Sequence, residues 1–472
     1  MLFNSYEFIF AFLPITFFIY FFLNKKHLTE ASKAFLVFSS LFFYSWWNVK
    51  YLPLILISML FNYAIGKELS NPKRLKKISK KTLLAIGVAF NLALLGYFKY
   101  MDFFIENFNA IFHTKVGLLN LALPLAISFF TFQQIAYLVD SYRGETKEYD
   151  FLNYALFVTF FPQLIAGPIV HHKEMMPQFA KTKNKVINYY NIALGLFIFF
   201  MGLFKKVVIA DTFANYATQG FDVAKHLNML EGWVTSLSYT MQLYFDFSGY
   251  TDMAIGAALL FNIKLPTNFL SPYKATSIQD FWRRWHITLS NFLRDYIYIP
   301  LGGNRKGESR TYLNLFITFL LGGIWHGAGW TFVFWGVLHG VALIVHRFWQ
   351  KLKIKLPTIL AWFITFNFIN IAWVFFRAKS FDDAKKVLKA MFSGDFIMPN
   401  SITNINWSKL FVNEKYILIY LFLAIVITLF MPNSMEWKDR FKSNIFYLLL
   451  TIFFALTIFM LYKKSEFLYF NF

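Results

Sequence analysis

From Thr311 to His346 the chain carries no Asp, Glu, Lys or Arg over 36 consecutive positions. A membrane-spanning helix needs about 20 mainly apolar residues. The stretch is therefore too long for one crossing and too apolar for a water-facing surface. Gly322, Gly323 and Gly327 are the expected break between two segments. Other uncharged stretches occupy 8–24, 34–49, 51–66, 82–98, 116–139, 151–172, 187–204, 356–376, 416–431 and 445–462. The 232–262 stretch is interrupted only by Asp246 and Asp252. The expected fold is an all-α polytopic membrane protein with about 11 to 13 membrane segments, some of them re-entrant.

Composition excludes the soluble alternatives. Apolar residues are 57% and charged residues 15%, against roughly 45–50% and 25% in soluble domains. The formal net charge of +21 would suggest nucleic acid in a soluble protein. Here the basic residues lie in short runs between apolar segments, as the positive-inside rule expects. Membrane lipids, not nucleic acid, are the expected surroundings. With no cysteine, disulfides, thiolate metal sites and a cysteine nucleophile are excluded. The His171–His172 pair has no clustered carboxylates beside it, so no metal and no tightly bound cofactor is expected.

The first segment does not read as a cleaved signal peptide, because no basic region precedes it. Lys25, Lys26 and Lys33 follow it, which places the N-terminus outside the cytoplasm. The run Lys73, Arg74, Lys76, Lys77, Lys80 and Lys81, two crossings later, is then cytoplasmic. Lys438, Arg440 and Lys442 before the last segment, against Lys463 and Lys464 after it, place the C-terminus outside as well. Alternation fails at 140–150, which carries four acids against Arg143 and Lys147. Pro162 and Pro168 in FFPQLIAGP (160–168) each remove a helix donor, so partial crossings are expected here. Ser380 is a plausible N-cap for a short surface helix over 381–392. The chain reads as one membrane domain, residues 1–472, with a longer loop at 377–415 and a C-terminal helix and aromatic tail at 445–472.

Ionisable residues in membrane segments are costly and usually functional. His326, in GGIWHGAGW (322–330), is flanked by glycines and tryptophans, including Trp325. A neutral histidine suits general-base catalysis, though a satisfied core histidine fits the same pattern. FWRRWHITLSNFLR (281–294) carries Arg283, Arg284, His286 and Asn291. It reads equally as a re-entrant helix presenting His286 or as an interfacial helix with a basic face. In YFDFSGYTD (244–252), Asp246 and Asp252 need partners, which Arg283 or Arg284 could supply. A structural ion pair is the simpler reading there, with Ser248 as a polar neighbour. The terminal FLYFNF (467–472) is either an interfacial anchor or a tail that folds back to present the Tyr469 hydroxyl.

Three motifs together resemble a known family. YFDFSGYTDMAIG (244–256), FWRRWHITLSNFLRDYIYIPLGGNR (281–305) and IWHG (324–327) are similar to the membrane-bound O-acyltransferases. The likeness is strongest to the bacterial subgroup of alginate and peptidoglycan O-acetylation membrane subunits. LPLAISFFTFQQIAYLVDSYRG (123–144) and FFPQLIAGPI (160–169) resemble that subgroup too. The resemblance implies helices around a thin central region where two funnels meet. It implies that His326 is the catalytic histidine and His286 the second polar position. The terminal FLYFNF resembles the ending of a small accessory protein of lipoteichoic acid D-alanylation, where a tyrosine is associated with shuttling the acyl group.

The implied activity is transfer of acetyl from cytoplasmic acetyl-CoA across the bacterial inner membrane, for O-acetylation of an extracytoplasmic cell-wall glycan or exopolysaccharide. The expected partner is an extracytoplasmic O-acetyltransferase. His326 would be the base on Tyr469, His286 would orient the acyl group or stabilise the oxyanion, and Asp246, Ser248, Asp252, Arg283, Arg284, Trp325 and Asn291 would line the site. A D-alanyl or lipid acyltransferase of the same fold is the nearest alternative. A transporter, from broken apolar helices with buried charge, and a scaffold that tolerates loss of both histidines are the others.

Overall fold

The structure is a computed structural model that describes residues 1–71, 78–146, 150–165, 167–395, 416–461 and 468. Every regular element among them is helical. Among the described residues, six helices are long and apolar enough to cross a membrane: Glu7–Lys25, Val49–Ser70, Lys80–Phe112, Tyr189–Val223, Trp330–Leu352 and Thr358–Arg377. Ile417–Phe430 and Ser434–Arg440, bent by 52°, make a seventh if taken as one broken span. The chain is thus an all-α, multi-pass membrane protein. Fewer helices qualify alone than the sequence suggested, because other apolar stretches fold into shorter helices such as Thr29–Ser45 and Ile127–Arg143.

Two expectations need correction. The 116–139 stretch is not one segment. Its first part is non-helical, and Leu119 and Asn120 donate their N–H groups to the Asp102 carboxylate at 2.7 and 2.9 Å. The 36-residue uncharged stretch does divide in two, but not at Gly322–Gly323. Helix Glu308–His326 runs through both glycines, and the chain turns at 327–329, where Gly327 and Gly329 are extended. Gly323 serves packing instead. A Cβ there would lie 2.5 Å from the Phe332 carbonyl oxygen and 2.8 Å from the Gly336 Cα. Small residues let membrane helices approach this closely, so helices 308–326 and 330–352 form a tight antiparallel pair.

The chain divides into two compact units. The first comprises Met1–Leu203, Tyr250–Pro266 and Phe441–Asn471. Its core is packed with phenylalanine: Phe3, Phe8 and Phe43 are fully buried, and the Phe12 and Phe161 rings meet edge-on at 5.1 Å. The expected helix interruption is present. Helix Phe151–Thr159 ends at Phe160 and a single turn, Phe161–Leu164, follows with Pro162 in its first turn, where a missing N–H costs nothing. The backbone groups freed by the break are satisfied by side chains, as a dry surrounding requires. The Ser40 hydroxyl accepts from Phe161 N–H at 3.1 Å. Gln133 and Gln163 both donate to the Phe157 carbonyl, at 2.9 and 2.6 Å.

The second unit comprises Phe204–Gly249 and Thr267–Arg440. It holds the 308–326 and 330–352 pair, the helix Thr358–Arg377, and the short helix Phe381–Met391. Ser380 caps that last helix by accepting from Asp383 N–H, as its sequence predicted. Two short helices, Ile278–Trp282 and Ile287–Leu293, precede them in the chain. The 32-residue helix Met229–Leu260 passes from this unit into the first.

Candidate active site

FWRRWHITLSNFLR forms two short helices, and the residue at the break is His286. Its backbone is left-handed, φ 44° and ψ 53°, a conformation that costs a non-glycine residue about 1–2 kcal/mol. The neighbouring strand of chain holds it there. Leu270 N–H donates to the Arg284 carbonyl at 3.0 Å, and Ile287 N–H to the Asn268 carbonyl at 3.0 Å.

The Asn268 side chain then fixes the imidazole. Its Oδ1 accepts from Thr288 N–H at 3.2 Å and from the Thr288 hydroxyl at 2.9 Å. The same oxygen lies 3.1 Å from His286 Nδ1. An oxygen already accepting from a backbone N–H is not a donor, so the Nδ1 carries the hydrogen. The basic atom of neutral His286 is therefore Nε2. His286 is fully buried, and burial pushes its pKa down, which keeps it neutral. The Phe247 ring stands edge-on to the imidazole at 4.7 Å.

His326 is the last residue of helix 308–326 and is buried. Aromatic rings surround it: Trp325 at 4.9 Å, Trp335 at 5.1 Å and Phe376 at 5.1 Å. Gly327 after it admits the Phe332 ring, which a Cβ would meet at 2.2 Å. Stacked indoles join this box to the other histidine motif. Trp335 stacks on Trp373 at 5.8 Å, and Trp373 lies 5.0 Å from Trp285, the residue before His286. The second unit thus gathers the IWHG and FWRRWH motifs into one aromatic cluster.

A third histidine of this cluster escaped the sequence reading. His339 is fully buried, with Trp335 at 4.5 Å. Trp282 Nε1–H donates to His339 Nδ1 at 3.2 Å. An indole nitrogen only donates, so His339 holds the opposite tautomer to His286. The signal was available: His339 lies in the same uncharged stretch as His326, one helical turn beyond Trp335.

The carboxylates and arginines do not pair as expected. Asp246 is buried but bonds Lys206 at 2.5 Å. Arg284 instead pairs with Asp280, one turn earlier on its own segment, at 2.9 Å, and Arg283 is exposed. Ser248 is buried in the same unit, and no described residue bonds its hydroxyl. Asn291 is half-buried. Asp252 is buried within the first unit. Tyr469 lies outside the described residues. No group of three His, Cys, Asp or Glu suited to a metal occurs among the described residues.

Comparison with known proteins agrees with the motifs. The membrane-bound O-acyltransferase family model matches residues 10–381. A peptidoglycan O-acetyltransferase of Helicobacter pylori is 56% identical over 421 residues, covering 83% of this chain and 80% of that protein. A Pseudomonas aeruginosa protein named "Probable alginate O-acetylase AlgI" is 40% identical over 431 residues, covering 90% of this chain and 81% of that one. A teichoic acid D-alanyltransferase of Bacillus subtilis is 31% identical over 280 residues, covering 56% of this chain and 70% of that one.

Proposed function

This chain belongs to the membrane-bound O-acyltransferase family and is an acyltransferase, and from that premise we propose that it carries acetyl groups from cytoplasmic acetyl-CoA across the bacterial inner membrane to a cell-wall glycan, peptidoglycan before alginate. The higher identity to the peptidoglycan enzyme than to the alginate proteins supports that order. Both termini lie outside the cytoplasm in this reading, and an extracytoplasmic O-acetyltransferase receives the group.

The observation that carries the reading is the pair of buried histidines in one aromatic cluster, with His286 locked so that Nε2 is its basic atom. His326 takes the proton from an attacking hydroxyl, and the oxygen adds to the thioester carbonyl. The C–S bond breaks, and the CoA thiolate recovers the proton from the imidazolium. His286 accepts a hydrogen bond at Nε2 while neutral. From that atom it orients the attacking hydroxyl toward His326. The attacking hydroxyl is that of Tyr469, a phenol with a reference pKa of about 10 that needs a base near neutrality. The tyrosyl ester then passes its acetyl to the partner or to a glycan hydroxyl.

Incubation of the purified protein with isotopically labelled acetyl-CoA tests donor and carrier together. Mass spectrometry is expected to find the label on the C-terminal peptide containing Tyr469, and to find none there in Tyr469→Phe. Thiol release and glycan acetylation at the parental rate by Tyr469→Phe would leave direct transfer from acetyl-CoA as the mechanism. No thiol release from the parent protein would remove acetyl-CoA as donor.

A further inference from the structure

Tyr189–Val223 is one 35-residue helical span, yet it carries two adjacent lysines. The helix changes register there. Lys205–Ala210 is a π-helical turn in which Asp211 N–H bonds the Lys206 carbonyl. In an α-helix residues five apart point in different directions, whereas the wider turn stacks them. The turn therefore sets the Asp211 carboxylate beside the Lys206 ammonium at 2.8 Å. On its other side Lys206 meets Asp246 at 2.5 Å. Lys206 and Asp246 are almost wholly buried. Lys205 completes the cluster: its ammonium lies 5.8 Å from the centre of the Tyr244 ring and bonds the Ser434 hydroxyl at 2.9 Å.

Both lysines thus grip the same turn of helix 229–260, at 244 and 246. That turn backs the His286 segment. Phe247, next to Asp246, stands edge-on to the imidazole at 4.7 Å. Tyr244 packs on Trp285 and Tyr273, at 6.4 and 5.3 Å. Asn268 fixes the tautomer, but ring–ring contact with Phe247 is what limits rotation of the imidazole from this side.

We propose that Lys206 is a positioning residue for His286: the Asp211–Lys206–Asp246 cluster fixes the 244–247 turn, and that turn holds the imidazole in its reactive orientation. The inference rests on His286 acting in acyl transfer. It predicts that Lys206 matters only through His286, which a purely structural ion pair would not do.

A double-mutant cycle tests it. Parent, Lys206→Met, His286→Asn and the double variant are compared by thiol release from acetyl-CoA and by base-labile acetate on purified peptidoglycan. Lys206→Met is expected to lower kcat by roughly tenfold to a hundredfold, the scale of misplaced reacting groups, with KM for acetyl-CoA little changed. In the His286→Asn background the same change is expected to cost nothing further. Lys206→Arg, which keeps the charge, is expected to recover most of the rate. An equal fold-loss in both backgrounds, or an unchanged rate for Lys206→Met, overturns the inference. If Lys206→Met does not insert, Asp246→Asn keeps the volume and enters the same cycle with the same expectations. A silent His286→Asn would instead overturn the catalytic reading, leaving the two failures distinct.

Discussion

Two breaks in the helical chain place a histidine against a side-chain oxygen, and the two oxygens differ. In the second unit His286 Nδ1 faces the Asn268 amide at 3.1 Å. In the first unit His171 Nδ1 faces the Asp140 carboxylate at 3.3 Å. The geometry is nearly the same, but the electrostatics are opposite in intent. A carboxylate favours the imidazolium, and the Asp140 hydrogen bond raises the His171 pKa against the effect of burial. An amide fixes the tautomer without adding charge, so His286 stays neutral with a basic Nε2. One pair is an ion-pair tether on a connection. The other is a preorganised hydrogen-bond acceptor, and its partner's lack of charge is what makes it one.

The comparison breaks first if the second unit's imidazoles do no chemistry. His326→Ala is expected to lower acetyl transfer by about 10²- to 10⁴-fold, the usual contribution of a general base, with expression and membrane insertion retained. His286→Ala is expected to fall in the same range. His286→Asn keeps an amide that can still hydrogen-bond and is expected to retain more activity than His286→Ala. Base-labile acetate on isolated peptidoglycan measures all three. Near-parental acetylation by His326→Ala would end the two-histidine mechanism.

The comparison sharpens if the partners are exchanged. Asn268→Asp gives His286 the partner that His171 has. A carboxylate favours the protonated ring, so the pH below which the base form is lost would move upward. One unit of pKa is tenfold in the base fraction on the acid side of the profile, so the rate is expected to fall roughly tenfold there and to stay near the parent's at pH 7, where burial keeps the ring neutral. The acid limb of the kcat/KM profile should move upward. An unchanged profile would show that the charge of the partner is irrelevant at His286.

Parts of this arrangement were legible in the sequence for a plain physical reason. His286 and His326 are polar residues in apolar surroundings, and Pro162 cannot continue a helix, so both signals are local. Lys206 was hidden because 187–204 seemed to end at a charged flank. Nothing in KKVVIAD announces that the helix continues through a π-turn. Asn268 was hidden because its role depends on a left-handed residue 18 positions later, a tertiary outcome with no periodic trace. The partner of Asp246 was misassigned for the same reason: Arg283 and Arg284 were near in the motif, but Lys206 is near in space. The glycines at 322 and 323 show the converse, since a residue that permits a bend also permits close packing, and only the opposing helix decides.

The smallest effect concerns the tether itself. Asp140→Asn gives His171 the partner that His286 has, and activity is expected to stay near the parental level. Stability should change with a definite sign. His171 has a raised pKa in the folded protein, so its pairing energy is fully present below the unfolded value of about 6.5. That energy is lost as pH rises through the folded value. The side chain is partly screened, so the contribution is about 1 kcal/mol or less. Unfolding in detergent should therefore show a larger deficit for Asp140→Asn at pH 5.5 than at pH 8.5. Lys173 and Glu174, beside His171, oppose each other's effect on its charge and should not reverse this order. A deficit that grows toward alkaline pH would mean that His171 pairs as a neutral ring, and the contrast between the two breaks would vanish.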